Sequence, residues 1–128
     1  MLAELLEQIQ KAEMITGHNL EWFDLPVINA ECMQLGLKPI RSVLVQDTKR
    51  LAKSKGFPKS QSNLLARFDS KQQKMELNWQ KWMAAYDEPG WKTIRERCES
   101  DVRGHKEMRQ ELISLGYMKV PREWVGIR

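Results

Sequence analysis

Two short β-forming runs separated by a helix-length segment decide most of what this chain can fold into. Met14-Ile15-Thr16 is apolar and β-branched and is closed by Gly17, and Ser42-Val43-Leu44-Val45-Gln46 is the most β-rich run in the sequence. Between them, the apolar residues Leu20, Phe23, Val27, Ile28 and Met33 or Leu35 recur at helical spacing. Pro26 falls early enough to be tolerated in a first turn, and Gly36 is a suitable stop. Strand, helix and strand make a βαβ unit, because parallel neighbours need a crossover of this size whereas antiparallel ones need only a turn. The fold class expected is therefore α/β, with a short parallel sheet.

The flanks read helical. Leu2, Leu5, Leu6 and Ile9, with Glu4, Glu7, Gln8 and Lys11 between them, predict an opening amphipathic helix that ends near Glu13. After the second strand the spacing predicts helices over 48–55, 62–68 and 77–86, a break at Glu88-Pro89-Gly90, and a long helix over 91–115 stopped by Gly116. Trp91, Ile94, Cys98, Val102, His105, Met108, Leu112 and Leu115 form its apolar stripe. Residues 1–116 are expected to form the domain and 117–128 a tail. In that tail only Tyr117 to Val120 look extended, because Pro121 removes a donor.

Composition narrows the class. With 128 residues, 41% hydrophobic and 30% charged, the chain is one domain's worth of material and too apolar to stay disordered. A mean hydropathy of -0.59 and the lack of a long apolar run exclude a membrane span. The opening MLAELLEQIQKAE carries three Glu among its apolar residues, unlike an export signal. Cys32 and Cys98 have no neighbouring Cys, so neither a disulfide framework nor a CxxC metal site is built, and a reduced cytoplasm is expected. The net charge of +4 conceals an uneven distribution: Lys38 to Lys74 holds ten basic residues against two acids. A polyanion could dock there, with Lys49, Arg50, Lys53, Lys55 and Lys59 meeting phosphates, or the segment is simply a solvated face.

Two acids stand where apolar residues are expected. Asp101 lies three residues after Cys98 and four before His105, inside the stripe of the long helix. Asp24 follows Phe23 and precedes Val27 and Ile28 on the earlier helix; it is also placed to act as a first-turn acid favoured by the helix dipole. A buried carboxylate must be met by a base, by backbone amides or by a cation. Ligands of open α/β sheets bind beyond the carboxyl ends of the strands, where His18-Asn19 and Asp47 fall and where Asp24 opens the helix. Acids converging there, with few His or Cys, describe an oxygen-rich site for Mg²⁺ or Mn²⁺, and beside a basic segment that points to phosphodiester chemistry.

At these residues the sequence resembles a known family. Gly17-His18-Asn19-Leu20-Glu21-Trp22-Phe23-Asp24-Leu25-Pro26 looks like the second motif of the DEDD-type (DnaQ-like) 3′–5′ exonucleases of the RNase H-like superfamily. Gln46-Asp47-Thr48 resembles its next strand, 62–68 its short Leu-rich helix, and Arg97-Cys98-Glu99-Ser100-Asp101-Val102 its third motif. Within the superfamily the chain is similar to small phage exonucleases of DNA replication and recombination, which also place a Trp-rich helix and a stretch like Asp87 to Trp91 before the last helix.

The resemblance implies a partial RNase H-like fold with a mostly helical C-terminal half, in which Asp24 and Asp101 bind the metal and His18 and Asn19 meet the substrate strand. It also implies a single-stranded or 3′-ended DNA substrate and the cytoplasm of a bacterial or phage-infected cell. Two departures weigh against a complete enzyme. The family's first motif, Asp-x-Glu on a strand preceding the opening helix, has no counterpart, and the places of its Tyr or His base hold Arg97 and Glu96. His105, on the face of Asp101, is expected to pack or to pair with that acid. The reading that follows is a truncated exonuclease domain or one half of a split enzyme. Its sheet would be completed by a partner chain or a second copy. The alternative is a non-catalytic module that keeps the fold to bind nucleic acid or another protein, and a purely structural subunit is a third option.

Overall fold

In the computed structural model, which describes residues 1–51, 60–67 and 78–127, the chain is mixed α/β. Helix α1 (Leu2–Lys11) leads into strand β1 (Ile15–Gly17), a π-helical turn (Leu20–Asp24), helix α2 (Leu25–Gln34) and strand β2 (Ser42–Asp47). Helices α3 (Gln61–Arg67), α4 (Trp79–Met83) and α5 (Glu88–Ser114) follow, and strand β3 (Arg122–Val125) comes last. The residues divide into two compact units: Met1–Lys53 with Met118–Arg128, and Ser54–Tyr117.

The first unit is built on a three-stranded sheet in the order β1-β2-β3. β1 and β2 are parallel, Ile15 opposite Val45 and Gly17 opposite Asp47, as the βαβ pattern required. β3 is antiparallel to β2, Ser42 opposite Val125 and Val45 opposite Arg122. The expected tail carries a strand after Pro121, and within the stretch expected to be extended before it Met118 forms a β-bridge with Leu51. A proline ahead of the first paired residue takes no donor from the ladder. Leu25, Ile40 and Val45 are the buried heart of this unit, with Leu6 and Ile9 of α1, Ile15, Leu20, Ile28, Val43 and Trp124 packed around them.

α2 departs from the spacing read in the sequence. The amide of Leu25 donates to Leu20 O, five residues back. Pro26, which has no N–H, follows and cannot restore the α-helical pattern at that point. The wide turn puts the helix out of phase, so Leu25 and Cys32 are buried while Phe23, Val27, Met33 and Leu35 are exposed. Gly36, at φ +67, closes the helix: Leu37 N–H reaches back to Cys32 O at 2.8 Å, a Schellman arrangement that the left-handed glycine allows.

The second unit packs α3 and α4 on α5. Glu88-Pro89-Gly90, expected to be a break, is instead the first turn of α5: Asp87 caps it by accepting from Gly90 N–H at 2.8 Å, and proline suits a first turn. Ile94, Gly104, Met108 and Leu112 face inward, but Cys98 and Val102 of the expected stripe do not. Arg97 and Asp101 take the inner positions between Ile94 and Gly104. Of the helix expected over 48–55, the described part is a turn at Thr48 and Lys49 and a β-bridge between Leu51 and Met118. Its remainder lies outside the described residues, and among the described residues no helix is long and apolar enough to cross a membrane.

Candidate functional site

The ends of β1 and β2 are knotted together by one carboxylate. Asp47, the last residue of β2, is almost fully buried at 4% exposure. Its Oδ1 accepts from Asn19 N–H at 2.7 Å and Lys49 N–H at 2.9 Å, and its Oδ2 from Glu21 N–H at 3.2 Å. Three backbone amides thus offset its desolvation. Asp47 thereby caps the turn after β1. Asn19 adopts the left-handed conformation at φ 66, which asparagine tolerates, and its side chain makes no capping bond. His18 Nδ1 lies 2.9 Å from Thr48 Oγ1 across the two strands.

Asp24 closes the π-helical turn at the same end of the sheet and is half-buried. It occupies the N-cap position of α2, where its backbone is already helical and its side chain makes no cap bond. Burial raises its carboxyl above the ordinary aspartate value and the negative charge of Asp47 raises it further, against a hydrogen bond from its own backbone amide. A folded-state value above the unfolded one means that the protonated form is favoured in the fold. The associated stability is present below the ordinary aspartate range and is lost as pH rises through the raised value. Asp24→Asn should therefore raise the thermal midpoint at neutral pH. That gain should shrink toward nothing as the pH falls below the aspartate range, as a calorimetric series from acid to neutral pH would show.

Sequence reasoning missed Glu21. Its side chain is only 3% exposed and is shared by Arg50 Nη1 at 3.2 Å and Arg122 Nε at 2.6 Å, with Arg122 Nη2 at 3.1 Å. Its carbonyl accepts from Trp124 Nε1 at 3.2 Å. Arg50, expected to meet phosphate, is engaged with this acid, whereas Lys49 beside it is exposed. The β-favouring pair Trp124-Val125 just after Pro121 was the available signal for the strand that carries Arg122.

Asp101 belongs to the other unit. As expected it stands on the inner side of the long helix, and it is met by a base: Arg97 Nη1 lies 3.1 Å from Asp101 Oδ2, one helical turn away. The Arg97 guanidinium also stacks over Trp82, 5.2 Å from the ring centroid. Asp101 Oδ1 and Arg97 Nε are buried with no hydrogen-bond partner among the described residues. Gln61 Nε2 donates to Asp101 O at 3.1 Å, tying α3 to α5. His105 is half-buried one turn further on.

The structure therefore brings His18, Asn19, Asp24, Asp47 and Lys49 together at one end of the sheet, leaves Asp101 in the second unit, and does not describe Lys53, Lys55 and Lys59. Among the described residues no group of three or more His, Cys, Asp or Glu side chains is placed to hold a metal ion. Asp47 is committed to backbone amides and Asp101 to Arg97. The described residues are thus not by themselves a fit for Mg²⁺ or Mn²⁺. Comparison with protein-family models, with curated proteins and with solved structures found no match.

Proposed function

We propose that this chain is part of a metal-dependent 3′–5′ exonuclease-type domain acting on DNA, and that Asp24 and Asp101 are the acids it contributes. The single observation behind the reading is the environment of Asp24. It is a half-buried carboxylate beside a second acid, just beyond the carboxyl end of a parallel strand, where the motif resemblance puts a metal ligand. The remaining carboxylates would arrive on a strand from outside these residues. Among the described residues β1 pairs with β2, and the reading places such a strand on the far side of β1.

A second reading is favoured by the Arg97–Asp101 pair. An acid already neutralised by a neighbouring guanidinium has less call for a cation, and a module with that pair would bind nucleic acid without cleaving it.

Digestion of 3′-labelled single-stranded DNA in Mn²⁺ separates the possibilities. The chain alone should leave the label intact or release it slowly, with any release abolished by Asp24→Asn or Asp101→Asn. Robust digestion that survives both changes would show that the acids are misassigned. DNA binding in the same buffer should fall steeply between low and high salt, because phosphate contacts rather than base readout would supply it. Affinity indifferent to salt would count against both readings.

A further inference from the structure

We propose that the cleft between the π-helical turn and β3 is a stacking subsite for one base of single-stranded DNA, with Trp22 as its platform. The proposal rests on the nucleic-acid reading above and gives it a specific contact. The cleft has a volume of about 380 Å³ and is lined by Glu21, Trp22, Arg122, Glu123, Trp124 and Val125, all within the first unit. That size falls in the range of small-ligand sites, and two indoles, Trp22 and Trp124, stand in its wall among charged neighbours.

A lone exposed tryptophan needs no explanation. Trp22, at 76% exposure, differs in how firmly its backbone is held. Glu21 on one side donates its amide to Asp47 and fixes its side chain between Arg50 and Arg122. Phe23 on the other side donates its amide to Asn19 O at 3.1 Å. Across the cleft, Trp124 is anchored through its indole N–H on Glu21 O. Two rings presented on fixed backbones have little left to lose on binding a flat partner.

Charge selects the partner. The lining carries two acids, Glu21 and Glu123, and one base, Arg122, and the buried Glu21 is already shared by Arg122 and by Arg50 from outside the cleft. With no cation left over in its lining, the cleft suits an uncharged π-face better than a phosphate. Cationic contact lies close by: the exposed Lys49 donates its amide to the same Asp47 carboxylate that holds Asn19 and Glu21, so the lysine and the tryptophan rise from one small knot of backbone. An aromatic platform beside an exposed cation is the arrangement that grips single strands without reading their sequence.

Fluorescence anisotropy of the full chain with a labelled oligothymidylate, and with an oligomer of the same length made of abasic sites, tests this directly. Both polymers carry the phosphates, and only one carries bases. The thymidylate should bind about 10-fold more tightly, and Trp22→Ala should reduce it to the abasic level while leaving the abasic affinity unchanged; Trp22→Phe should keep most of the preference. Equal binding of the two polymers by the unaltered chain, or a preference that survives Trp22→Ala, would overturn the subsite while leaving the nucleic-acid reading standing. An equal loss on both polymers in Trp22→Ala would also overturn it, because Trp22 would then be acting on the fold. Failure to bind either polymer would remove the nucleic-acid reading and the subsite with it.

Discussion

Gly90→Ala should destabilise the protein by about 3 kcal/mol, at the upper end of what overpacking costs. A β-carbon built at Gly90 would lie 1.7 Å from Ala84 O and 2.5 Å from Ala84 C, and backbone atoms cannot step aside as the end of a side chain can. The turn after α4 and the first turn of α5 would have to separate, pulling Gly90 N–H away from its cap on Asp87. Gly36→Ala is the informative comparison. Its added carbon meets no atom within 4 Å, and only its φ of +67 is unfavourable. That change should cost about 1 kcal/mol. Denaturant titration of both variants gives the two numbers. A loss under about 1 kcal/mol at Gly90 would mean that the α4–α5 corner is not formed as described.

Glu21→Ala should cost about 2 to 3 kcal/mol. Breaking a buried pair from one side typically costs about 3 to 5 kcal/mol, and the figure is reduced here because the Arg122 side chain is 49% exposed and can regain water. Arg50 and Arg122 would be left facing each other without the acid they share. The effect should appear as faster amide exchange in β3, whose strand partner among the described residues is β2. In a double-mutant cycle with Arg122→Met, the losses should fall well short of adding. Full additivity would show that the two side chains do not interact.

These two residues also mark the limit of what the sequence discloses. Local periodicity was enough for α1, for the parallel pairing of β1 with β2, for the glycine stops of α2 and α5, and for an inward-facing Asp101. Each is decided within a few residues by side-chain spacing or by a left-handed glycine. Nothing local marks Glu21 as buried, because the groups that bury it come from elsewhere: Arg122 is 101 residues away along the chain. The π-helical turn was hidden for a different reason. A single wide turn leaves the composition untouched and shifts only the phase, so Phe23 and Val27 were assigned to a buried face that Leu25 and Cys32 occupy. Pro26 was the clue, since its missing N–H interrupts the ladder at that place. At the candidate site, Asp24 was legible as an acid at a strand end, while the capture of Asp47 by three amides required the crossing of two strands that no local pattern records.

The bridge between Leu51 and Met118 makes the first unit a discontinuous body, since the chain leaves it after one partner and re-enters at the other. In topological terms the second unit is an insertion in the connection from β2 to β3, and the ladder between those two strands is made without its residues. A single proteolytic nick within 54–117 would therefore divide the polypeptide without dividing the first unit. The two pieces would still be clasped by the β2–β3 ladder, by Gln46 on Lys119 and by Glu21 on Arg122. The sheet end that carries Asp24, His18 and Lys49 thus owes its covalent continuity to one stretch of backbone and part of its cohesion to another. An exchange of the insertion for a short turn is a change that the first unit's own hydrogen bonds are arranged to tolerate.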